Sequence, residues 1–167
     1  MKAVKDHLRE AFSGESQANR KYLAFAQKAE EQGLHQIAKI FRAAAEAETI
    51  HAHNHLRVMG GVGDTLENLK EAIEGETYEF NQMYPEMIEA AKKEGDKEAL
   101  RSFHYANEVE KVHAGLFKKA MECAEKGTDC PDREIYVCPV CGYTLEGEPP
   151  EKCKICGTPG QRFKKID

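Results

Sequence analysis

Glu48-Thr-Ile-His51 decides how the chain is read, because it returns sixty-two residues later as Glu110-Lys-Val-His113. Residues three apart on a helix stand one above the other on a single face. A carboxylate and an imidazole placed in that way can hold one metal ion from the same side. A single such pair is common in helical proteins. Its recurrence at matching depth in a repeated unit points to a built site.

The repeat extends outward from these two stretches. Gly14-Glu15-Ser16 matches Gly75-Glu76-Thr77, Gly33 matches Gly95, Phe41 matches Phe103 and Ala44 matches Ala106. Four helices are predicted. The first runs from Lys2 to about Gln32, with a stripe of Leu8, Ala11, Phe12, Ala18, Tyr22, Phe25 and Ala29 that includes Glu15. The second covers about 34–59, with Ile37, Phe41, Ala44, Glu48, His51, His55 and Val58 on one face, and the glycines from Gly60 end it. Asp64-Thr-Leu-Glu67 has the form of a capping box opening the third, to about Glu94. Pro85 lies inside that helix and is expected to bend it or free a carbonyl. Asp96 caps the fourth, to about Lys126. The expected domains are an all-α four-helix bundle over 1–126, a polar, proline-broken linker over 127–134 and a small metal-bound β-ribbon over 135–167.

Composition narrows the function. The 167 residues carry a net charge of −5, with 41% hydrophobic and 32% charged residues. A mildly acidic chain is a poor match for nucleic acid or an anionic membrane. No stretch approaches the roughly 20 apolar residues of a membrane span. The charged start, Met1-Lys-Ala-Val-Lys-Asp-His-Leu, has no apolar run, so no secretion signal and a cytoplasmic location are expected. All six cysteines fall in the last third of the chain. Paired Cys-x-x-Cys spacings in such a setting favour metal over disulfides.

Glu15, Glu48, Glu76, Glu79 and Glu110 all lie on the predicted apolar stripes. Unpaired carboxylates in a dry core each cost several kcal/mol or become protonated, unless multivalent cations compensate them. Hard oxygen donors with two imidazoles suit iron or manganese. One glutamate from each of two helices with Glu-x-x-His from the other two is the donor set of carboxylate-bridged di-iron bundles. It maps onto Glu15, Glu76, Glu48 with His51, and Glu110 with His113. Glu79 is an additional acid, standing where the first repeat has Ala18.

Cys138-Pro-Val-Cys141-Gly and Cys153-Lys-Ile-Cys156-Gly form a second constellation, a four-thiolate site. Each following glycine lets backbone N–H groups turn toward sulfur. Spacing alone favours zinc. Tyr136, Tyr143 and Phe163 supply most of so small a core that the metal must hold the ribbon together. Cys123 and Cys130 break the spacing and read as free thiols, with a disulfide across the linker as the alternative.

The order Gly-Glu-Ser-Gln-Ala, Glu-Thr-Ile-His, Gly-Glu-Thr-Tyr-Glu, Glu-Lys-Val-His and then paired Cys-x-x-Cys resembles the rubrerythrin family over nearly the whole chain. The resemblance implies a ferritin-like di-iron bundle joined to a rubredoxin-like iron module. It makes the thiolate metal iron rather than zinc. It implies that Glu48 and Glu110 bridge two irons, that Glu15 and Glu76 are terminal, and that Glu79 and His51 exchange at one iron with oxidation state. It raises Tyr22 and Tyr84 from core tyrosines to groups bonding a ligand carboxylate or the peroxide. His55 receives no ligand role. The implied activity is that of a peroxidase reducing hydrogen peroxide to water, its di-iron site restored through the thiolate iron by an external NAD(P)H-linked reductase or rubredoxin. A ferroxidase or iron-handling role is the alternative.

Assembly follows from loop length. In the ferritin-like topology the connection between the second and third helices runs the length of the bundle. A helix of about 26 residues is about 40 Å long, whereas about five loop residues reach at most about 18 Å. Either the bundle is a simple up-down one, or hairpins are exchanged between two chains. A domain-swapped homodimer is expected, with Glu15, Glu48 and His51 of one chain facing Glu76, Glu79, Glu110 and His113 of the other.

Overall fold

A computed structural model describes residues 3–167; the expected helix start at Lys2 lies outside them. Five helices, α1 (Val4–Glu31), α2 (His35–Val58), α3 (Thr65–Tyr78), α4 (Tyr84–Glu94) and α5 (Lys97–Glu125), precede strands β1 (Ile135–Val137), β2 (Thr144–Glu146) and β3 (Lys164–Ile166). The chain divides into two compact units, one ending at Gly63 and one spanning Asp64–Asp167.

The first unit is the α1–α2 hairpin. Gly33 turns the chain at φ 75°, a left-handed conformation that glycine adopts without steric cost. The hairpin's contact line is built from small residues: Ala26, Ala29, Ala38, Ala45 and Ala52 are buried. Their size lets the two backbones approach closely. Asn19, also buried, fastens α1 to α2 by donating to Ala45 O at 2.6 Å and Thr49 Oγ1 at 2.7 Å. The larger apolar residues do not share this burial, and Phe25, Ile37 and Val58 of the predicted stripes are exposed. Two helices cover only one line of contact, so a stripe wide enough for a bundle remains a face of the hairpin.

In the second unit α3 and α4 pack against α5. The predicted capping box forms: Asp64 accepts from Glu67 N and Glu67 accepts from Asp64 N, both at 2.9 Å. Asp96 caps α5 by accepting from Glu98 N and Ala99 N. The single third helix expected over 64–94 is interrupted by a π-helical turn at Glu79–Met83. Pro85 lies two residues beyond it. Pro85 has no N–H to offer to the carbonyl four residues back, and the backbone widens to a bond from Tyr84 N–H to Glu79 O. The widened turn absorbs one extra residue: Gly33 follows Gly14 by 19 positions, whereas Gly95 follows Gly75 by 20. Such turns recur at functional sites, and Glu79 opens this one.

The ribbon is a three-stranded antiparallel sheet in the order β2-β1-β3, with Tyr136 opposite Leu145 on one side and Lys165 on the other. Cys138, Cys153 and Phe163 form its buried centre, with Tyr136, Tyr143, Leu145 and Ile155 packed around them. The Tyr143 and Phe163 rings meet edge to face at 6.4 Å. Gly160 admits no side chain, since a Cβ there would stand 1.9 Å from Pro150 O. Among the described residues no helix is long and apolar enough to cross a membrane.

Candidate metal centres

Three groups of donors converge. The tightest is Cys138, Cys141, Cys153 and Cys156, whose sulfurs all lie within 4.8 Å of one another. Cys138 Sγ is 3.6 Å from Cys156 Sγ, and Cys141 Sγ is 3.5 Å from Cys153 Sγ. These separations far exceed the ~2 Å of a disulfide. They approach the edge of a tetrahedron with metal–sulfur bonds of about 2.3 Å, which is roughly 3.7 Å. The two knuckles are alike. Gly142 N donates to Cys138 O and Gly157 N to Cys153 O, both at 3.0 Å, and both glycines sit at positive φ. Burial pushes the Cys141 and Cys153 thiols up. Burial also opposes ionisation of Cys156, but the Thr158 hydroxyl and backbone outweigh it and hold that thiol at about 6. Four sulfurs held this close form a ready site for a cation that takes the place of their protons.

The other groups are two carboxylate–imidazole triplets, one in each unit: Glu15, Glu48 and His51, and Glu76, Glu110 and His113. In the first, His51 Nδ1 stands 2.9 Å from Glu48 Oε2. In the second, His113 Nδ1 stands 2.8 Å from Glu110 Oε2 and 3.8 Å from Glu76 Oε1. The repeat seen in the sequence is therefore a repeat of geometry. Burial of the acids falls short of the expectation, since Glu15, Glu48, Glu76, Glu79 and Glu110 are all half-buried. A helical hairpin presents its inner stripe as a face and not as an interior. The second triplet already carries electrostatic strain. Burial, and then the charge of Glu110, push the Glu76 carboxyl up. Each triplet offers hard oxygen and imidazole nitrogen, the kinds of donor that suit iron.

Glu79 lies outside the second triplet but within its field: burial, and then the Glu76 charge, push its carboxyl up. Tyr84 belongs to the same neighbourhood. Burial raises its hydroxyl pKa first, followed by Glu79, Glu110 and Glu76. Tyr22 instead packs its ring against Phe25 and Phe41 at 6.4 and 6.2 Å. Cys123 and Cys130 are free thiols. The hydrogen bond with Cys123 pushes the Cys130 thiol up to about 11, so the two stand together at the linker.

A cavity of about 510 Å³ in the second unit has Glu76 and His113 in its lining, with Phe117, Ala120, Pro131 and Ile135 among its apolar walls. Thr144 also lines it and was missed from sequence. Its Oγ1 lies 3.0 Å from His113 Nε2, across thirty-one residues of chain.

A sequence model of rubrerythrin matches residues 6–121, and one of the rubrerythrin rubredoxin-like domain matches 136–164. The chain belongs to the rubrerythrin family. Rubrerythrin-2 of Clostridium acetobutylicum is 40% identical, over 95% of this chain and 94% of that protein. Nigerythrin of Nitratidesulfovibrio vulgaris is 36% identical over 95% and 84%. A solved structure titled as a partially reduced state of nigerythrin aligns with a TM-score of 0.59 at 33% identity, covering 99% of this chain and 88% of that one. The rubrerythrin family binds a di-iron site and a rubredoxin-like iron site. The thiolate metal expected from the resemblance is accordingly iron, and the zinc suggested by spacing alone is set aside.

Proposed function

We propose that this rubrerythrin-family chain is a peroxidase that reduces hydrogen peroxide to two waters, taking up two protons and two electrons. The supporting observation is that one chain holds both kinds of donor set. A four-sulfur cluster suits single-electron transfer, and two carboxylate–imidazole triplets suit an oxygen-reactive pair of metal ions. Storage or ferroxidase chemistry gives no use to the first set.

In this reading Glu15, Glu48, His51, Glu76, Glu110 and His113 would hold the di-iron pair, with Glu79 and His51 as the two residues that would serve in turn as donors when the oxidation state changes. When bound, the iron pair supplies the two electrons that cleave the O–O bond. The chain's own residues handle protons and access. Tyr84, surrounded by acids, keeps its phenolic proton and can donate it at Oη to a reduced oxygen. Glu79, its carboxyl pushed up and its backbone in the π-turn, can carry a proton or a charge at the same place. Tyr22 stands as the corresponding hydroxyl of α1. Electrons enter from an external reductase or rubredoxin through the sulfur cluster, and the protein works in the cytoplasm.

The complete site is assembled from two chains by exchange of hairpins. The loop-length limit supports this, as does the even division of donors, three in each compact unit.

The test is single turnover of the anaerobically reduced holoprotein. One equivalent of hydrogen peroxide should restore the visible band of the ferric thiolate centre much faster than one equivalent of oxygen. Equal rates would overturn the assignment in favour of ferroxidase chemistry.

A further inference from the structure

Thr144 is a residue of the ribbon that terminates on a donor of the helical site. Its Oγ1 has two partners, Gly142 O at 3.0 Å and His113 Nε2 at 3.0 Å. A carbonyl oxygen only accepts, so the hydroxyl proton belongs to Gly142. The oxygen then offers His113 a lone pair, and Nε2 must carry the ring proton. In the neutral ring Nδ1 is the bare nitrogen. That nitrogen is the one facing Glu110 and Glu76. A bare nitrogen held 2.8 Å from a carboxylate has no hydrogen to share, and the contact is attractive only with a cation between them or on the ring.

We propose that Thr144 is the positioning residue of this half of the site. Its hydroxyl selects the His113 tautomer that presents Nδ1 as a metal donor. It does so from the segment that carries Cys141, so the run Cys141–Gly142–Thr144–His113 connects the sulfur cluster to the carboxylate triplet within one chain. Metal-bound histidines are generally oriented by a partner on their other nitrogen; here the electron-transfer module supplies it. The first triplet lacks the device. His51 has a side chain 54% exposed, and among the described residues no hydrogen bond reaches its Nε2. Within one chain the two histidines are therefore held differently, and the one fixed at Nε2 is His113.

This inference rests on Glu76, Glu110 and His113 being metal donors and not on the peroxide chemistry, so a failed peroxide assay leaves it standing. The test uses full-length protein with its thiolate iron in place, zinc ion as the diamagnetic probe, and the variants Thr144→Val and Thr144→Ser. Valine keeps the β-branched shape that suits β2; serine restores only the hydroxyl. Zinc affinity of the His113 half should fall roughly tenfold to a hundredfold in Thr144→Val and recover in Thr144→Ser. The His51 half should be unchanged. In the wild type, nitrogen NMR of metal-free protein above the histidine titration should find His113 protonated at Nε2. Wild-type affinity in the valine variant, an equal loss in the serine variant, or a proton on Nδ1 in the wild type would each overturn the proposal. The last readout needs no variant to fold.

Discussion

Glu110 Oε2 and His113 Nδ1 lie 2.8 Å apart on one face of α5, and Glu48 and His51 repeat the relationship at 2.9 Å on α2. Side chains one turn apart pair readily on a helix, and here each pair also turns both donors toward a third carboxylate, Glu76 in one case and Glu15 in the other. In the family's terms what such donors hold is an iron. Glu110→Ala should therefore abolish stoichiometric iron binding by the helices, with affinity at that position reduced at least a hundredfold. It should leave the four-sulfur iron intact, because no donor of that cluster is touched. Elemental analysis together with the visible band separates the two outcomes. A variant that keeps full iron loading would remove Glu110 from the donor set.

Acid placement should show in the pH dependence of the metal-free protein. The Glu79 carboxyl is raised from an ordinary value of 4.5 by burial and then by Glu76. A carboxyl raised in the folded state favours folding most when both states are protonated. That contribution is lost as pH rises through the folded value. Glu79→Gln should thus stabilise the metal-free protein at pH 7, by about 2 °C in melting temperature, and give no gain near pH 4. Iron loading should reverse the sign, since the charge is then needed. Calorimetry with and without metal at both pH values checks it.

The ribbon depends on its metal more than the helices do. Its strands are three residues each and its buried centre is two metal-binding cysteines and Phe163. Cys138→Ser should melt residues 135–167 at ambient temperature while leaving far-ultraviolet helicity close to wild type. Amide NMR of Tyr143, Leu145 and Phe163 reports on the ribbon alone. Retained dispersion at these residues would mean that the apolar contacts suffice without the fourth sulfur.

Much of this was legible in sequence, for a physical reason. Caps, breakers and helical spacing are local, so Asp64 with Glu67, Asp96, Gly33 and Gly95 placed the helix ends, and Glu-x-x-His fixed which atoms would converge. What was not legible is what depends on other elements. Thr144 meets His113 through tertiary packing across thirty-one residues, and no spacing rule reports such a contact. Periodicity puts Phe25 and Ile37 on an apolar stripe because it reports a face and not its partner; both are exposed on the hairpin. The π-turn is an intermediate case. Its signal, one extra residue between Gly75 and Gly95 ahead of Pro85, was present in the repeat but concealed by matching the glycines.

That extra residue can itself be tested. Deleting Gln82 restores the 19-residue spacing of the first repeat and should let the backbone run as an ordinary helix through Glu79–Met83. The π-turn's weaker hydrogen bonding disappears, so amide exchange over 79–84 should slow. Glu79 should be re-aimed by the lost offset, lowering peroxide turnover about tenfold or more, on the scale of a displaced catalytic group. Slower exchange with undiminished turnover would show that the π-turn only accommodates Pro85 and does not place Glu79.

Hairpin exchange makes a prediction that an unexchanged bundle cannot imitate. Glu48→Ala damages only the donors of the first unit and Glu110→Ala only those of the second. If each site joins the first unit of one chain to the second unit of another, a mixed dimer of the two variants has one site carrying both lesions and one carrying none. Random pairing makes half of the dimers mixed, so co-refolding the two inactive variants should recover about a quarter of wild-type iron sites and peroxide turnover. If each chain closes its own site, every site in the mixture carries one lesion and nothing is recovered. Differently tagged chains, captured in sequence to isolate the mixed dimer, sharpen the contrast to half of wild-type activity or none.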